Sequence, residues 1–220
     1  MQINIEFKQH FLKNEATKDI INAFGLASIT NNVIVKDFEF NLEHGKLYYI
    51  CGYSGSGKSS LLNAIYDNIK TKNTIYIKQW NNIKIDNKPL IEFFPNIDSD
   101  DKIRILSKCG LGEAWKFVSK YNELSDGEKF RFVFYHSIMS LAGSDNPILI
   151  FDEFCATLDR VTAKSICNNI KKMAKIYNIT IILASAHDDI MEYLDADYNI
   201  IKEFDENVEL QKGKQAEKSN

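Results

Sequence analysis

An α/β fold with a parallel central sheet is what this sequence predicts, and three observations carry it. Short apolar runs of strand character (Leu47 to Cys51, Thr74 to Ile77, Ile148 to Phe151, Ile179 to Ser185, Asn199 to Lys202) alternate with helical patterns. Continuous apolar strands between helices imply a sheet covered on both faces. A glycine-rich turn joins the first of these runs to a helix, and two carboxylates follow directly on Phe151. The carboxyl ends of strands are where open α/β sheets hold their ligands.

The elements follow in order. Residues 3–7 alternate as a strand, and Val33 to Leu42 alternates as another, so a small N-terminal antiparallel β part is expected. Between them, Thr17 to Phe24 reads as a short helix capped by Thr17, stopped at Gly25, with Ile20, Ile21 and Phe24 on one face. His44-Gly45 makes a turn. Residues 80–123 carry short helical patterns broken by Pro89, Pro95, Gly110 and Gly112, and read as a helical insertion. Gly127 to Leu141 and Val161 to Tyr177 are longer helices, and a short one starts at Asp188. The organisation expected is a single domain over residues 1–204, containing a helical subdomain at 80–142, and a polar, disordered tail at 205–220.

Composition sets limits. A chain of 220 residues that is 45% hydrophobic can bury one sizeable core. No apolar stretch approaches the ~18 residues of a membrane span, and the alternating start Met1-Gln2-Ile3-Asn4 lacks the shape of a signal peptide. A net charge of −3 does not announce a nucleic-acid binder. Cys51, Cys109, Cys155 and Cys167 are scattered without metal-ligand spacing, which points to a reducing cytoplasm.

Chemistry begins at Gly52-Tyr53-Ser54-Gly55-Ser56-Gly57-Lys58-Ser59, followed by Ser60. This is G-x-x-x-x-G-K-[ST] between a strand and a helix, the context in which the pattern marks a phosphate site. Glycines let the backbone curl so that consecutive N–H groups converge on an anion, and the helix adds its N-terminal dipole. Lys58 supplies a point charge for the terminal phosphates and Ser59 a hydroxyl for Mg²⁺. The ligand class expected is a nucleoside triphosphate with a divalent metal. Beyond it, Asp152 suits Mg²⁺ through a water, and Glu153 suits a general base for the attacking water. Leu124-Ser125-Asp126-Gly127-Glu128 opens a helix, since Ser125 and Glu128 have capping-box spacing.

On these motifs the chain resembles the ATP-binding cassette (ABC) ATPases, phosphate-loop enzymes whose signature reads L-S-G-G-Q. Here it reads L-S-D-G-E; Ser125 and Gly127 match, while Asp126 and Glu128 depart. Gln79 falls where that family places a glutamine sensing Mg²⁺ and water, Ala156-Thr157-Leu158-Asp159 resembles its D-loop, and His187 matches its switch histidine. The resemblance spans residues 33–203. Asp152-Glu153-Phe154-Cys155 with Leu158-Asp159-Arg160 and Thr162-Ala163-Lys164 is similar, more narrowly, to soluble members, some of them fused to acetyltransferase-like domains.

The resemblance implies ATP rather than GTP as nucleotide, catalytic roles for Glu153, His187, Lys58 and Gln79, and metal contacts from Ser59, Gln79 and Asp152. It also implies an ATP-dependent, head-to-tail homodimer in which Ser125, Gly127 and Asp159 meet nucleotide bound by the partner. The adenine platform is open among Phe11, Phe24, Phe38 and Phe40. The expected role is a soluble ATPase acting with a protein or nucleic-acid partner. The alternatives are the ATPase subunit of a membrane transporter and a nucleotide-gated clamp of negligible turnover. The segment Val118-Ser119-Lys120-Tyr121-Asn122-Glu123 stands where many exporters carry a glutamate- and glycine-rich stretch.

Overall fold

The computed structural model describes residues 1–10, 14–25 and 29–213. In chain order it contains β1 (Gln2–His10), α1 (Glu15–Ala23), β2 (Ile29–Glu39), β3 (Leu47–Cys51), α2 (Lys58–Ile69), β4 (Thr74–Ile77), α3 (Ser99–Lys108) and α4 (Ala114–Val118). These are followed by α5 (Asp126–Leu141), β5 (Ile148–Phe151), α6 (Arg160–Tyr177), β6 (Thr180–Ala184), α7 (Ile190–Leu194), β7 (Tyr198–Lys202) and β8 (Val208–Lys212).

β1 and β2 form an antiparallel pair, and the other strands form a six-stranded sheet in the order β4-β5-β6-β3-β7-β8. Every pairing in the larger sheet is parallel except β7 with β8. The fold is therefore α/β with a small antiparallel part, as expected. Strand alternation splits the core between the two faces of the sheet. Leu47, Tyr49, Leu149, Phe151, Ile181 and Leu183 pack towards α5 and α6. Tyr48, Ile50, Ile150 and Ile182 pack with Leu61, Leu62 and Ile65 of α2, with Val35 of β2 and with Phe40 just beyond it.

Three local expectations are corrected. The cap of α1 is Asn14, three residues before Thr17: its side chain accepts from the Thr17 N–H at 2.9 Å, and the Thr17 hydroxyl accepts from the Asn14 N–H at 3.1 Å. That reciprocal pair satisfies two donors at once, which a lone Thr cap does not. Ile20 and Phe24 are 56% and 76% exposed. β2 ends at Glu39 rather than Leu42, after Asp37 takes a positive φ of 51°. The tail is not disordered from residue 205 onwards: Val208–Lys212 adds as an edge strand, its backbone bonding supplied by β7, with Val208 half-buried and its other side chains exposed, while residues 214–220 lie outside the described residues.

Candidate functional site

The phosphate loop is shaped by its neighbours. A Cβ on Gly52, whose φ is +148°, would lie 1.8 Å from the Lys202 carbonyl oxygen. A Cβ on Gly57, at φ +98°, would lie 2.4 Å from Ile34 Cγ2. Only glycine fits either place without moving backbone or β2. The Lys58 ammonium donates to the carbonyls of Gly52 at 2.8 Å and Tyr53 at 2.7 Å. Burial lowers the Lys58 pKa, opposed by the nearby Asp152 carboxylate. Ser56 Oγ is buried with no hydrogen-bond partner among the described residues. A tight cradle, a buried ammonium resting on loop carbonyls and an orphaned hydroxyl are what a polyanion would complete.

The carboxylates arrive from the far side of the sheet centre. Asp152 is buried and held by its own N–H, which donates to Ile77 O at 2.9 Å. Glu153 has φ +52°, a costly conformation for a non-glycine residue, and its N–H donates to Asp152 Oδ1 at 2.9 Å. The turn aims two consecutive carboxylates differently: Asp152 inward, Glu153 to solvent. A cleft of about 550 Å³ is lined by Ser54, Gly55, Gly57, Lys58, Ser59, Ser60, Asp152, Glu153 and His187. A second, of about 780 Å³, shares Ser59, Asp152 and Glu153 and adds Gln79, whose Oε1 accepts from Asn82 Nδ2. Distant stretches of chain thus meet around Lys58.

Mg²⁺ suits this donor set. Among the described residues no cluster of three or more His, Cys, Asp or Glu could cage a metal. A hydroxyl and a carboxylate beside a phosphate cradle match a small hard cation that keeps waters and leans on its substrate's oxygens.

Six expected residues lie outside both clefts, three of them beyond the phosphate loop. Ser125 caps α5, and its N–H and hydroxyl both donate to Glu128 Oε2 at 2.9 Å. A Cβ on Gly127 would come 3.3 Å from Leu158 Cδ2, so the start of α5 packs against the D-loop stretch. Asp159 caps α6, accepting from the Thr162 N–H at 3.0 Å. Gly52, Tyr53 and Ser56 belong to the loop without lining its cleft: the two carbonyls hold Lys58, and the Tyr53 ring stacks on Phe204. Of the aromatic candidates for the base, Phe38 and Phe40 are core, 5% and 0% exposed, Phe24 is open to solvent, and Phe11 lies outside the described residues.

The family model for ABC transporters matches residues 35–156, more than half of the chain. The chain belongs to the ABC transporter family. The matched residues carry both the phosphate loop and the strand that ends in Asp152-Glu153. The methionine import ATP-binding protein MetN of Francisella tularensis is 26% identical over 196 residues, covering 74% of this chain and 54% of MetN. The phosphonates import ATP-binding protein PhnC of Staphylococcus aureus is 28% identical over 193 residues, covering 69% and 73%. The chain therefore spans about half the length of MetN. The fold of this ABC ATPase is shared with the dimeric bacterial cassette MJ0796, at a TM-score of 0.53 and 21% identity over 83% of this chain and 92% of that one. The post-hydrolysis state of MJ0796 bound to ADP and Pi gives 0.61 and 19% over 96% and 98%.

Sequence reasoning missed Ile34, Arg160 and Lys202. Ile34 sits in an alternating strand, and nothing in that pattern tells which side chain will roof the loop. Lys202 reads as a polar strand end, yet it is fully buried and donates to the Glu203 carbonyl at 2.6 Å.

Proposed function

We propose that this ABC ATPase binds ATP at the phosphate loop and hydrolyses it as one half of a head-to-tail homodimer, serving as the ATP-binding subunit of an import-type membrane transporter. The observation that carries the catalytic reading is that Lys58, Asp152, Glu153 and His187 face a single cleft over the glycine cradle. Lys58 gives up two loop carbonyls for the terminal phosphates. Glu153, exposed on its strained turn, takes the proton of the attacking water, and His187 donates to the γ-phosphate. Ser59, Asp152 and Gln79 would hold Mg²⁺, whose charge would offset that developing on the phosphate oxygens. Ser125 and Gly127 serve the partner's nucleotide, which accounts for their place outside this protomer's clefts.

The soluble role expected from the sequence gives way here to the transporter role, because the relatives matched over most of the chain are import ATP-binding proteins. The narrower likeness to soluble members with acetyltransferase-like fusions has no counterpart among them. A third cleft, of about 420 Å³ between Trp80, Ile83, Tyr121 and Lys129, lies on the insertion, where transporter ATPases receive membrane helices. Among the described residues no helix is long and apolar enough to cross a membrane, so a membrane partner would be a separate segment or chain.

Phosphate release with and without Lys58→Ala tests hydrolysis. Fractionation of native cells tests the role: recovery with membranes, released by disrupting the Trp80–Tyr121 cleft with Ile83→Asp, is expected. Recovery only in the soluble fraction returns the balance to the soluble reading.

A further inference from the structure

Arg160 is the first residue of α6, directly after Asp159 of the D-loop. Its guanidinium spans two residues of another segment. Nη2 lies 3.0 Å from His187 Nδ1, and Nε lies 3.2 Å from Asp189 Oδ2. A guanidinium has donors only and keeps its proton. The contact with the imidazole is therefore a hydrogen bond only if His187 Nδ1 accepts, which leaves the ring proton on Nε2. The main chain of His187 is also held: its N–H donates to Ser185 Oγ at 3.3 Å, and its carbonyl accepts from the Tyr49 hydroxyl. Nε2 is then the ring nitrogen without a partner among the described residues, on a side chain that lines the phosphate cleft.

We propose that Arg160 is a positioning residue that fixes His187 as the Nε2–H tautomer. The tautomer matters because a phosphate oxygen offers only lone pairs. An Nε2–H donates to it, whereas an Nδ1–H tautomer would turn a second lone pair towards it. Asp189 holds the other edge of the guanidinium, so the D-loop and the stretch after β6 are linked through the fork. An ordinary surface ion pair is the competing explanation, since Arg160 and Asp189 side chains are 52% and 43% exposed. Such a pair contributes little to stability, so unfolding would not tell the two apart, but the ring's protonation would. The proposal rests on the reading of His187 as a γ-phosphate contact only for its effect on turnover.

The experiment is long-range ¹H–¹⁵N NMR of the imidazoles in the nucleotide-free protein, with His187 assigned by loss of its signals in His187→Gln. The expected wild-type pattern is an unprotonated Nδ1 and a protonated Nε2. Arg160→Met and Asp189→Asn, both at exposed positions, should each shift it towards a tautomer mixture. Arg160→Met should also lower kcat at least about 10-fold while KM for ATP stays within about twofold. A protonated Nδ1 in the wild type, or an Arg160→Met spectrum identical to wild type, overturns the proposal. Because the spectra are taken without ATP, they stand whether or not His187 serves hydrolysis. Wild-type turnover in His187→Gln would remove that role and leave the tautomer result intact.

Discussion

The phosphate loop and the signature helix are built on opposite principles. The loop keeps to its family pattern at every fixed position and is left incomplete: Ser56 Oγ has no partner among the described residues, and Lys58 rests on main-chain carbonyls. The signature departs from the pattern at Asp126 and Glu128 and is internally complete. Glu128 accepts both donors of Ser125 and pairs with Lys116, a lysine only 6% exposed that also lies 3.3 Å from Glu113. Burial pushes the Glu128 carboxyl up, but the hydrogen bonds from Lys116 and Ser125 prevail and hold it at about 2. A carboxylate close to a triphosphate would repel it; this one is neutralised within its own helical region. The loop leaves polar groups open to a ligand, whereas the signature's Glu128 carboxylate is satisfied within its own helical region.

The loop should therefore respond to substitution in activity, and the Glu128–Lys116 pair of the signature in stability. The largest effect expected is in Lys58→Ala: phosphate release should fall by about 10²–10³-fold, while urea unfolding moves little, because removing a desolvated ammonium also removes its burial cost. A large stability loss with activity retained would reverse the contrast. Glu153→Gln comes next, with turnover down by about 10²-fold or more and ATP binding kept. In that variant light scattering should find a dimer with ATP and a monomer without it; a monomer under both conditions at high protein concentration argues against head-to-tail closure.

At the signature, Lys116→Met strands Glu128 in a poorly solvated place and should cost about 3 kcal/mol in urea unfolding. Glu128→Gln should cost less, since Lys116 keeps Glu113. The pH dependence follows from the direction of the shift. The folded-state pKa lies below its ordinary value of 4.5, so the stabilisation is complete above that value and is lost as pH falls towards about 2. Over that window the stability of Glu128→Gln should decline less steeply than wild type. Parallel acid limbs would mean the Lys116 pair does not hold Glu128 down.

Much of this was legible in the residues. The strand–glycine–helix order, the apolar run ending in Asp152-Glu153 and the spacing of Ser125 to Glu128 are local patterns, and each is realised locally: a turn with positive φ, a strand end, a reciprocal cap. The partners arriving from elsewhere were not legible. Lys116 stands twelve residues from Glu128 on another helix, Ile34 reaches Gly57 across the fold, and Arg160 finds His187 only because β5 and β6 lie side by side. Asn14 is not distinguishable from Thr17 as the cap by residue type alone, because both have capping side chains and the two share one box. The β8 strand escaped notice because an edge strand needs only a neighbour's backbone, which composition does not report.

The smallest effect expected probes whether the loop leans on that C-terminal hairpin. Tyr53 and Phe204 are 64% and 69% exposed, yet their rings stack with centroids 5.6 Å apart and planes within 7°. Phe204 lies in the turn after β7, which Lys202 closes by donating to the Glu203 and Asp205 carbonyls. The stack therefore ties the start of the phosphate loop to a turn organised by a buried lysine. An exposed aromatic pair contributes about 1 kcal/mol. Phe204→Ala should therefore weaken ATP binding by no more than about fivefold and leave kcat unchanged, with faster amide exchange confined to residues 52–57. Lys202→Met keeps the side chain's bulk but removes the donor that closes the turn, and should produce the same exchange pattern more strongly. Unchanged exchange in both variants would mean that the loop is held by its glycines and α2 alone.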